Sequence, residues 1–193
     1  MKKSTIIILV SIAALVLFGI TGYNKLVSSE EAVNKQWANV ENQYQRRGDL
    51  IPNLVATVKG YATHESETLE GVVAARAKAT QVTVDADNLT PEKLQKYQAA
   101  QGELSSALGK LLMITENYPD LKANQNFLEL QSQLEGTENR IAVERGRFNE
   151  LANAFNTSIR KFPNNLFASS FGFEKKPYFE AEKGNEKAPA VQF

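Results

Sequence analysis

The feature that most constrains this chain is an apolar seam with helical spacing between Val33 and Tyr61. Steps of four and three residues alternate along the stretch, and eight of the nine positions they reach are apolar or aromatic. This periodicity predicts one face of a long helix that packs against partner helices. The nine positions are Val33, Trp37, Val40, Tyr44, Arg47, Ile51, Leu54, Val58 and Tyr61.

Arg47 and Pro52 interrupt this otherwise regular seam. Arg47 places a permanent charge among apolar positions, while Pro52 removes a backbone donor and crowds the carbonyl of Gly48, four residues earlier. The stretch is either one kinked helix or a helix that stops here and restarts with a new cap. Because the seam keeps its phase on both sides of the interruption, we favour the kinked helix.

The N-terminal stretch is apolar enough to cross a membrane. Residues 4–24 carry no charge, and about 21 residues of helix span roughly 31 Å, the thickness of a bilayer core. A cleaved signal peptide is the alternative, but the apolar region is longer than usual and residues 19–22 offer a poor cleavage site. We therefore predict a retained transmembrane anchor over residues 1–24.

The charges that flank the anchor predict its orientation. Lys2, Lys3 and the α-amino group precede the apolar run, and Lys25 and Lys35 follow it. This slight excess of positive charge before the run favours a cytoplasmic N-terminus. The body of the protein is then expected to be exported.

Further helices are predicted by three more segments. Residues after Tyr61 continue as helix, with Leu69, Val72 and Val73 on the apolar side, either as a new helix or as unbroken winding. Thr90 caps a helix that runs from about Pro91 to Asn117. After a turn at residues 117–120, the last long helix runs from about Leu121 to Phe162.

These segments predict an all-α fold. Three or four long helices joined by short turns give an elongated antiparallel up-and-down bundle over residues 25–162, behind the single transmembrane helix. The remaining residues, 163–193, have a different composition, with proline and glycine breaks and clustered aromatics. The chain is thus divided into an anchor, a helical bundle and an aromatic-rich tail.

The seam of the last helix also contains charged residues. Glu138 and Arg145 occupy core steps there, as Arg47 does in the first helix. A charge buried without a partner is costly, so we predict that both arginines approach Glu138, unless all three lie on surface stripes. On this hypothesis the loss of Glu138 costs about 3–5 kcal/mol.

The C-terminal tail is richer in aromatics than disordered segments usually are. We therefore predict that the tail latches onto the bundle, onto a partner or onto the membrane interface. Residues 182–189, which are charged and contain glycine and proline, are expected to be flexible. The candidate interaction residues in the tail are Phe171, Phe173, Tyr178 and Phe179.

The composition offers little material for a catalytic or metal centre. The chain has no cysteine and one histidine, His64, which argues against thiolate sites, histidine metal clusters and a Ser-His-Asp triad. Twenty-two basic and 22 acidic residues give a formal charge of zero, so no electrostatic reason for nucleic-acid binding exists. We expect no enzyme activity, metal or cofactor.

Three stretches resemble the LemA family of small membrane-anchored proteins. They are RRGDLIPNLVATVKGYATHE, ENYPDLKANQNFLELQSQLEGTENRIAVERGRFNELANAFN and the closing pattern FP…FGF…KPYFEAE…VQF. The resemblance implies a helical bundle behind one transmembrane helix in a bacterial inner membrane, with no established catalytic residues. It also implies a TPM-domain membrane protein as a partner. The family's usual topology has a cytoplasmic body, which opposes the orientation that the charges favour.

Two functions fit these observations. The first is an envelope scaffold or adaptor whose bundle and tail bind a membrane or envelope protein. The alternative is a ligand-binding or enzymatic bundle that uses the polar residues Arg47, Glu138 and Arg145. The first accounts for the anchor, the elongated shape and the lack of a chemical cluster, so we favour it. Pro52 joins the candidate residues because it interrupts the first helix.

Overall fold

The structure is a computed structural model that describes residues 3–180. Over this range the protein is all-α and contains no strand. The all-α prediction is confirmed. The helices are α1 (Lys3–Lys59), α2 (Ser66–Gln81), α3 (Pro91–Thr115), α4 (Pro119–Lys122), α5 (Gln125–Arg160) and α6 (Asn164–Phe171), with a short 3-10 turn at Ala86–Asn88.

Helix α1 is a single helix of 57 residues that contains both the apolar N-terminal run and the first helix of the bundle. It continues through Pro52, as we favoured over two separate helices. Because Pro52 has no N–H, the carbonyl of Gly48 lacks its usual donor within the helix. Arg76 of α2 supplies one, since its Nε donates to the Gly48 oxygen over 2.7 Å.

The end of α1 corrects the predicted seam. Gly60 N and Tyr61 N bond to carbonyls three residues back, Thr57 O at 3.2 Å and Val58 O at 3.0 Å. This tighter winding shifts the phase of the chain. Tyr61 is consequently exposed, and Ala62 is buried in its place.

The four long helices form an up-and-down bundle, as predicted. Helix α1 packs against α5 and α2, and α2 packs against α3. The chain runs away from the apolar N-terminal segment along α1, returns along α2, runs out again along α3 and returns along α5. The ring contact between Trp37 and Tyr97 and the hydrogen bond from Asn124 to Tyr61 mark the two ends of this arrangement.

Side-chain caps mark the starts of α3 and α5. Thr90 caps α3, as predicted, by accepting from Lys93 N at 3.3 Å. The last long helix begins later than predicted because Pro119–Lys122 forms a separate turn and Asn124 caps α5. It ends at Arg160, before the cis peptide bond between Phe162 and Pro163. Phe162, the predicted end of this helix, lies beyond it and is exposed.

The buried side chains form two clusters along the bundle. The proximal core lies nearer the apolar N-terminal segment, and the distal core lies at the far end of the bundle. Val73, which was predicted to lie on the apolar side of α2, is exposed and belongs to neither cluster. The proximal core consists of Leu26, Val33, Trp37, Val40, Tyr44, Val84, Leu89, Leu94, Tyr97, Ile141, Phe148, Ala152, Phe155, Ile159, Ala168 and Phe179. The distal core consists of Ile51, Leu54, Val58, Ala62, Leu69, Val72, Ala79, Leu104, Leu108, Leu111, Leu121, Phe127 and Leu134.

The chain returns to the bundle after α5. Helix α6 packs against both α1 and α5 and ends at Gly172, whose φ of 74° lies in the left-handed region that glycine adopts without strain. Residues 173–180 carry no helix or strand and lie along α5. We call this segment the strap.

Candidate interaction site

The buried arginine predicted from the seam lies between the two cores. Arg47 is 1% exposed; its Nη1 donates to Glu138 Oε1 and to Ser105 Oγ, each over 2.7 Å. Its Nη2 donates to the side-chain and main-chain oxygens of Gln101 at 2.6 and 3.2 Å. The ring of Tyr44 lies 5.1 Å from the guanidinium carbon. This polar layer joins α1, α3 and α5.

The two partners of the ion pair have very different environments. The Arg47 side chain is 1% exposed, whereas the Glu138 side chain is 40% exposed. Glu138 was predicted to be a core residue, and the structure places it instead at the rim of the bundle. A carboxylate that reaches in from the surface keeps part of its hydration, so the pair avoids much of the desolvation cost of a fully buried salt bridge.

Arg145 lies beside the same layer but contacts the strap. Its Nη2 donates to the carbonyl oxygen of Glu180 over 3.0 Å, and its guanidinium carbon lies 4.9 Å from the centre of the Phe179 ring. The structure therefore brings Arg47 to Glu138, and it ties Arg145 to the C-terminal segment. Arg47 thus joins three helices, and Arg145, which also interacts with Tyr44, joins α5 to the strap.

The cavity beside the arginine layer is small. Its volume is about 40 Å³, and it is lined by Arg47, Gln101, Glu138 and Arg145 among others. Arg47 Nε makes no hydrogen bond within the described residues. Ordinary ligand pockets have volumes of roughly 300–1,000 Å³, so this space suits one or two waters rather than a small molecule.

A larger, open cleft lies on the other side of Tyr44. Its volume is about 350 Å³, and its lining includes Glu41, Gly48, Tyr97 and Gln101. Burial raises the pKa of Glu41, with a further contribution from the charge of Asp85. Burial likewise raises the pKa values of Tyr44 and Tyr97. Both tyrosines are therefore neutral hydroxyls near neutral pH, not bases.

Two asparagines of α5 hold the strap. Asn156 pairs with Lys176, accepting from its backbone N at 2.9 Å and donating to its carbonyl oxygen at 2.8 Å. Asn149 pairs with Phe179 in the same way, at 2.8 and 2.9 Å. Each amide thus satisfies both backbone groups of one strap residue, as a neighbouring strand would in a sheet.

The spacing of these pairs matches two different backbone geometries. Seven residues of α-helix separate Asn149 from Asn156, a rise of about 10 Å. Three residues of extended chain separate Lys176 from Phe179, which is again about 10 Å. The strap therefore runs antiparallel to α5 in a single register.

One ion pair and one further hydrogen bond fix the strap on two other helices. Lys176 Nζ lies 2.7 Å from Glu30 Oε1 of α1. Gln98 Nε2 of α3 donates to the Glu180 carbonyl over 3.2 Å. The strap consequently contacts three of the four long helices.

Aromatic rings complete the attachment. The Phe179 ring stacks on Trp37, with centroids 5.8 Å apart and planes inclined by 18°, and meets the Phe148 ring edge-on at 5.4 Å. Trp37 Nε1 donates to the carbonyl of Val84 over 3.1 Å. Because its polar group is satisfied, the indole can lie fully within the core.

The four aromatic candidates of the tail have different environments. Phe179 is buried in the proximal core and Phe173 packs against it. Tyr178 is exposed, although its hydroxyl accepts from Asn156 Nδ2 at 2.9 Å. Phe171 is exposed beside Tyr23 of α1, with ring centroids 4.9 Å apart. The predicted flexible segment, residues 182–189, lies outside the described residues.

The most important strap contacts were missed by the sequence reasoning. Asn149 and Asn156 are spaced one heptad apart, but asparagine is common on exposed helix faces and carries no signal of its own. The role of Gln101 as a partner of Arg47 was also missed. These residues gain their meaning only when α3, α5 and the strap are placed together.

An apolar groove lies between α1 and α2 at the distal end. Its volume is about 470 Å³, and its lining includes Val55, Leu69, Val73, Ala74 and Ala77. Among residues 3–180, no group of three or more His, Cys, Asp or Glu side chains is arranged to hold a metal ion.

Comparisons with known proteins agree with this architecture. The sequence model of the LemA family matches residues 36–193. Magnetosome protein MamQ 2 of Paramagnetospirillum magneticum is 26% identical over 94% of this chain and 73% of its own length. Magnetosome protein MamQ of Magnetospirillum gryphiswaldense is 27% identical over 92% and 72%, and Protein LemA of Metamycoplasma hominis is 24% identical over 83% and 69%.

Proposed function

Because the chain belongs to the LemA family, we propose that it is a membrane-anchored, non-enzymatic scaffold whose bundle binds a protein of the membrane or envelope. The observation that carries this proposal is the continuity of α1. One helix contains both an apolar run long enough to cross a membrane and the first helix of the bundle. The bundle is thereby held at the membrane without a flexible linker.

The arginine layer supports a scaffold over the ligand-binding alternative. Arg47 is hydrogen-bonded to Gln101, Ser105 and Glu138 at distances of 2.6–3.2 Å. Charged groups that await a ligand are left facing a roomy pocket, whereas these bond to one another beside a cavity of about 40 Å³. Their role in the proposal is to hold the helices in register.

We place the body on the exported side of a bacterial inner membrane. The basis is the slight excess of positive charge before the apolar run, because Lys2 and Lys3 directly precede it and Lys25 alone directly follows it. A fusion of alkaline phosphatase to the C-terminus should be active, and a fused cytoplasmic fluorescent protein should remain dark. The reverse pattern would establish the cytoplasmic topology that the resemblance implies.

The partner is tested by crosslinking the full-length protein in its native membrane. A photoreactive residue is placed at Val73, in the apolar groove, and a matched control at Asn153, an exposed polar position on α5. A scaffold gives a discrete adduct with one membrane or envelope protein from at least one surface position. A TPM-domain protein is the first candidate for identification. Failure to obtain a position-dependent adduct from any exposed face of the bundle would refute the proposal.

A further inference from the structure

Helix α6 lies against the part of α1 that precedes the bundle. The Phe167 ring packs on Phe18, with centroids 6.0 Å apart. The same ring lies over Gly22, where an added Cβ would stand 3.3 Å from it, and over Gly19, where the distance would be 3.6 Å. A Cβ at Gly19 would make ordinary contact, whereas one at Gly22 would crowd the ring, so the lack of a side chain at Gly22 helps α6 to approach α1 closely.

This contact places α6 at a defined depth. Phe18 belongs to the uncharged run of residues 4–24, and Lys25 is the first charge after it. Seven residues of helix separate Phe18 from Lys25, a distance of about 10 Å along the axis. Interfacial helices bury their apolar faces roughly 5–10 Å into the boundary between headgroups and acyl chains. The depth of α6 corresponds to that boundary.

Large apolar side chains near α6 are exposed. Phe162, Leu166 and Phe171 are 81%, 56% and 59% exposed. The segment adjoins the exposed apolar surface of α1, which includes Leu15 and Phe18, through the ring contacts of Phe171 with Tyr23 and of Phe167 with Phe18. Exposed clusters of large apolar residues mark contacts with proteins or with membranes, and this cluster lies beside the apolar run of α1.

We propose that α6, together with Phe162, is a second membrane contact that lies in the headgroup–acyl boundary of the leaflet facing the bundle. The occupant of this surface is lipid, because the surface is continuous with the lipid-facing side of α1. Arg160 and Lys161, both exposed at the start of the segment, add charges that attract anionic headgroups. The proposal rests on the membrane span of α1 that the proposed function also uses.

The consequence is a two-point attachment. A single transmembrane helix leaves a body free to tilt and rotate over the membrane surface. An interfacial helix packed at a fixed place on that helix restricts both motions. The strap, which follows α6 directly, then connects the membrane surface to the proximal core.

Spin labels on the full-length protein can test the location of α6. The chain has no cysteine, so each single variant carries one label without changes elsewhere. Leu166→Cys probes α6, Leu15→Cys probes the span, and Met113→Cys probes an exposed site at the distal end of α3. The protein is reconstituted in vesicles of phosphatidylethanolamine and phosphatidylglycerol, and collision with oxygen is compared with collision with a water-soluble nickel chelate.

The expected result is a ratio of oxygen to nickel collision that is several-fold higher at Leu166 and Leu15 than at Met113. High nickel collision at Leu166 with a lipid signature at Leu15 would overturn the α6 proposal while leaving the anchor intact. Low collision with both reagents at Leu166, with dipolar broadening between labels, would show a contact between copies and also overturn it. A water signature at Leu15 would overturn both the span and the α6 proposal.

Discussion

The proximal and distal cores are built from different materials. Among the described residues, six of the 16 members of the proximal core are aromatic, against one of the 13 members of the distal core. The proximal core also includes Phe179 of the strap, whereas the distal core is built from the helices and the turns that join them. The end of the bundle that lies near the apolar segment is thus closed by a piece of chain that returns from α6.

The polar layer around Arg47 separates the two cores. On the distal side of Arg47, the aliphatic side chains of the core are similar in shape, so they specify the register of the helices only weakly. On the proximal side of Arg47, the rings of Trp37, Phe148 and Phe179 meet at defined angles. A shift of one helix by a turn would break the hydrogen bonds of Arg47 to α3 and α5. These bonds therefore help to fix the relative positions of the helices at the boundary of the distal core.

The largest effect is expected in the proximal core. Trp37→Ala removes a fully buried ring and should lower the free energy of unfolding by about 3–5 kcal/mol. Leu111→Ala in the distal core should cost about 2–5 kcal/mol, but only Trp37→Ala should free the strap. Urea unfolding gives the energies, and limited proteolysis near Lys175 reports on the strap.

The control for both core variants is Met113→Ala, whose site is exposed and should change stability by no more than about 0.5 kcal/mol. If Leu111→Ala also exposes the strap to protease before global unfolding, the two cores do not behave as separate regions. The proximal and distal cores would then differ in amino-acid composition but not in how they unfold.

Removing the asparagine pairs tests the strap by itself. Asn149→Ala and Asn156→Ala each leave two backbone groups without partners, and each should cost about 1–3 kcal/mol. The cost is expected to be local, with faster proteolysis of the strap and unchanged hydrogen exchange in the distal core. Asn153→Ala, an exposed asparagine of the same helix, is the matched control. Equal protease resistance in all three variants would mean that aromatic packing alone holds the strap.

The boundary between the cores is tested at Glu138. Glu138→Ala should cost about 1–2 kcal/mol, less than the loss expected from sequence, because the carboxylate is half in solvent and Arg47 keeps its bonds to Gln101 and Ser105. Thermal or urea unfolding of the variant measures this loss, with the exposed Glu135→Ala as control. A loss above about 3 kcal/mol would show that water does not reach Arg47 when the acid is gone.

The smallest effect concerns a carboxyl of the proximal half. Burial raises the pKa of Glu41 above its ordinary value of 4.5, so the folded protein takes up a proton there more readily than the unfolded chain. The ionised group therefore weakens the fold at neutral pH, and this penalty is relieved as the pH falls through the raised pKa. Glu41→Gln should be stabilising relative to the unmodified protein at pH 7, with a smaller difference at pH 4.5.

Urea midpoints of the two proteins at both pH values measure this difference. Carboxyls common to the two proteins cancel in the comparison. A difference that is the same at both pH values would mean that Glu41 is as well solvated in the folded protein as in the unfolded chain.

The helical seams were readable from sequence because helical periodicity is a local property. The buried positions Trp37, Tyr44, Ile51 and Leu54 follow directly from it. The end of the seam was wrong at Tyr61 because three-residue hydrogen bonds at Gly60 change the phase, and such tightening leaves no mark in the pattern. Fold class depends on the seams and was predicted well; element ends depend on turns and were predicted less well.

The candidate site was predicted only where a residue broke a pattern. Arg47 was conspicuous because a charge interrupts apolar positions, and its approach to Glu138 followed from the cost of burying charge. Phe171 and Phe179 could not be distinguished from sequence, since the tail has no periodicity and both are aromatic, yet Phe171 is exposed and Phe179 is buried. Which of them is buried depends on where Asn149 and Asn156 hold the strap, and that is a tertiary property.

Because α1 is one continuous helix, a tilt of its apolar N-terminal run also moves the far end of the bundle. About 35 residues of this helix lie beyond Asn24, so its end stands roughly 50 Å from the edge of the apolar run. Transmembrane helices commonly tilt by tens of degrees as they adapt to bilayer thickness. If α1 spans the membrane as proposed, a change of about 10° in its tilt would move the distal end by roughly 9 Å, and a change in bilayer thickness would then shift the distal groove.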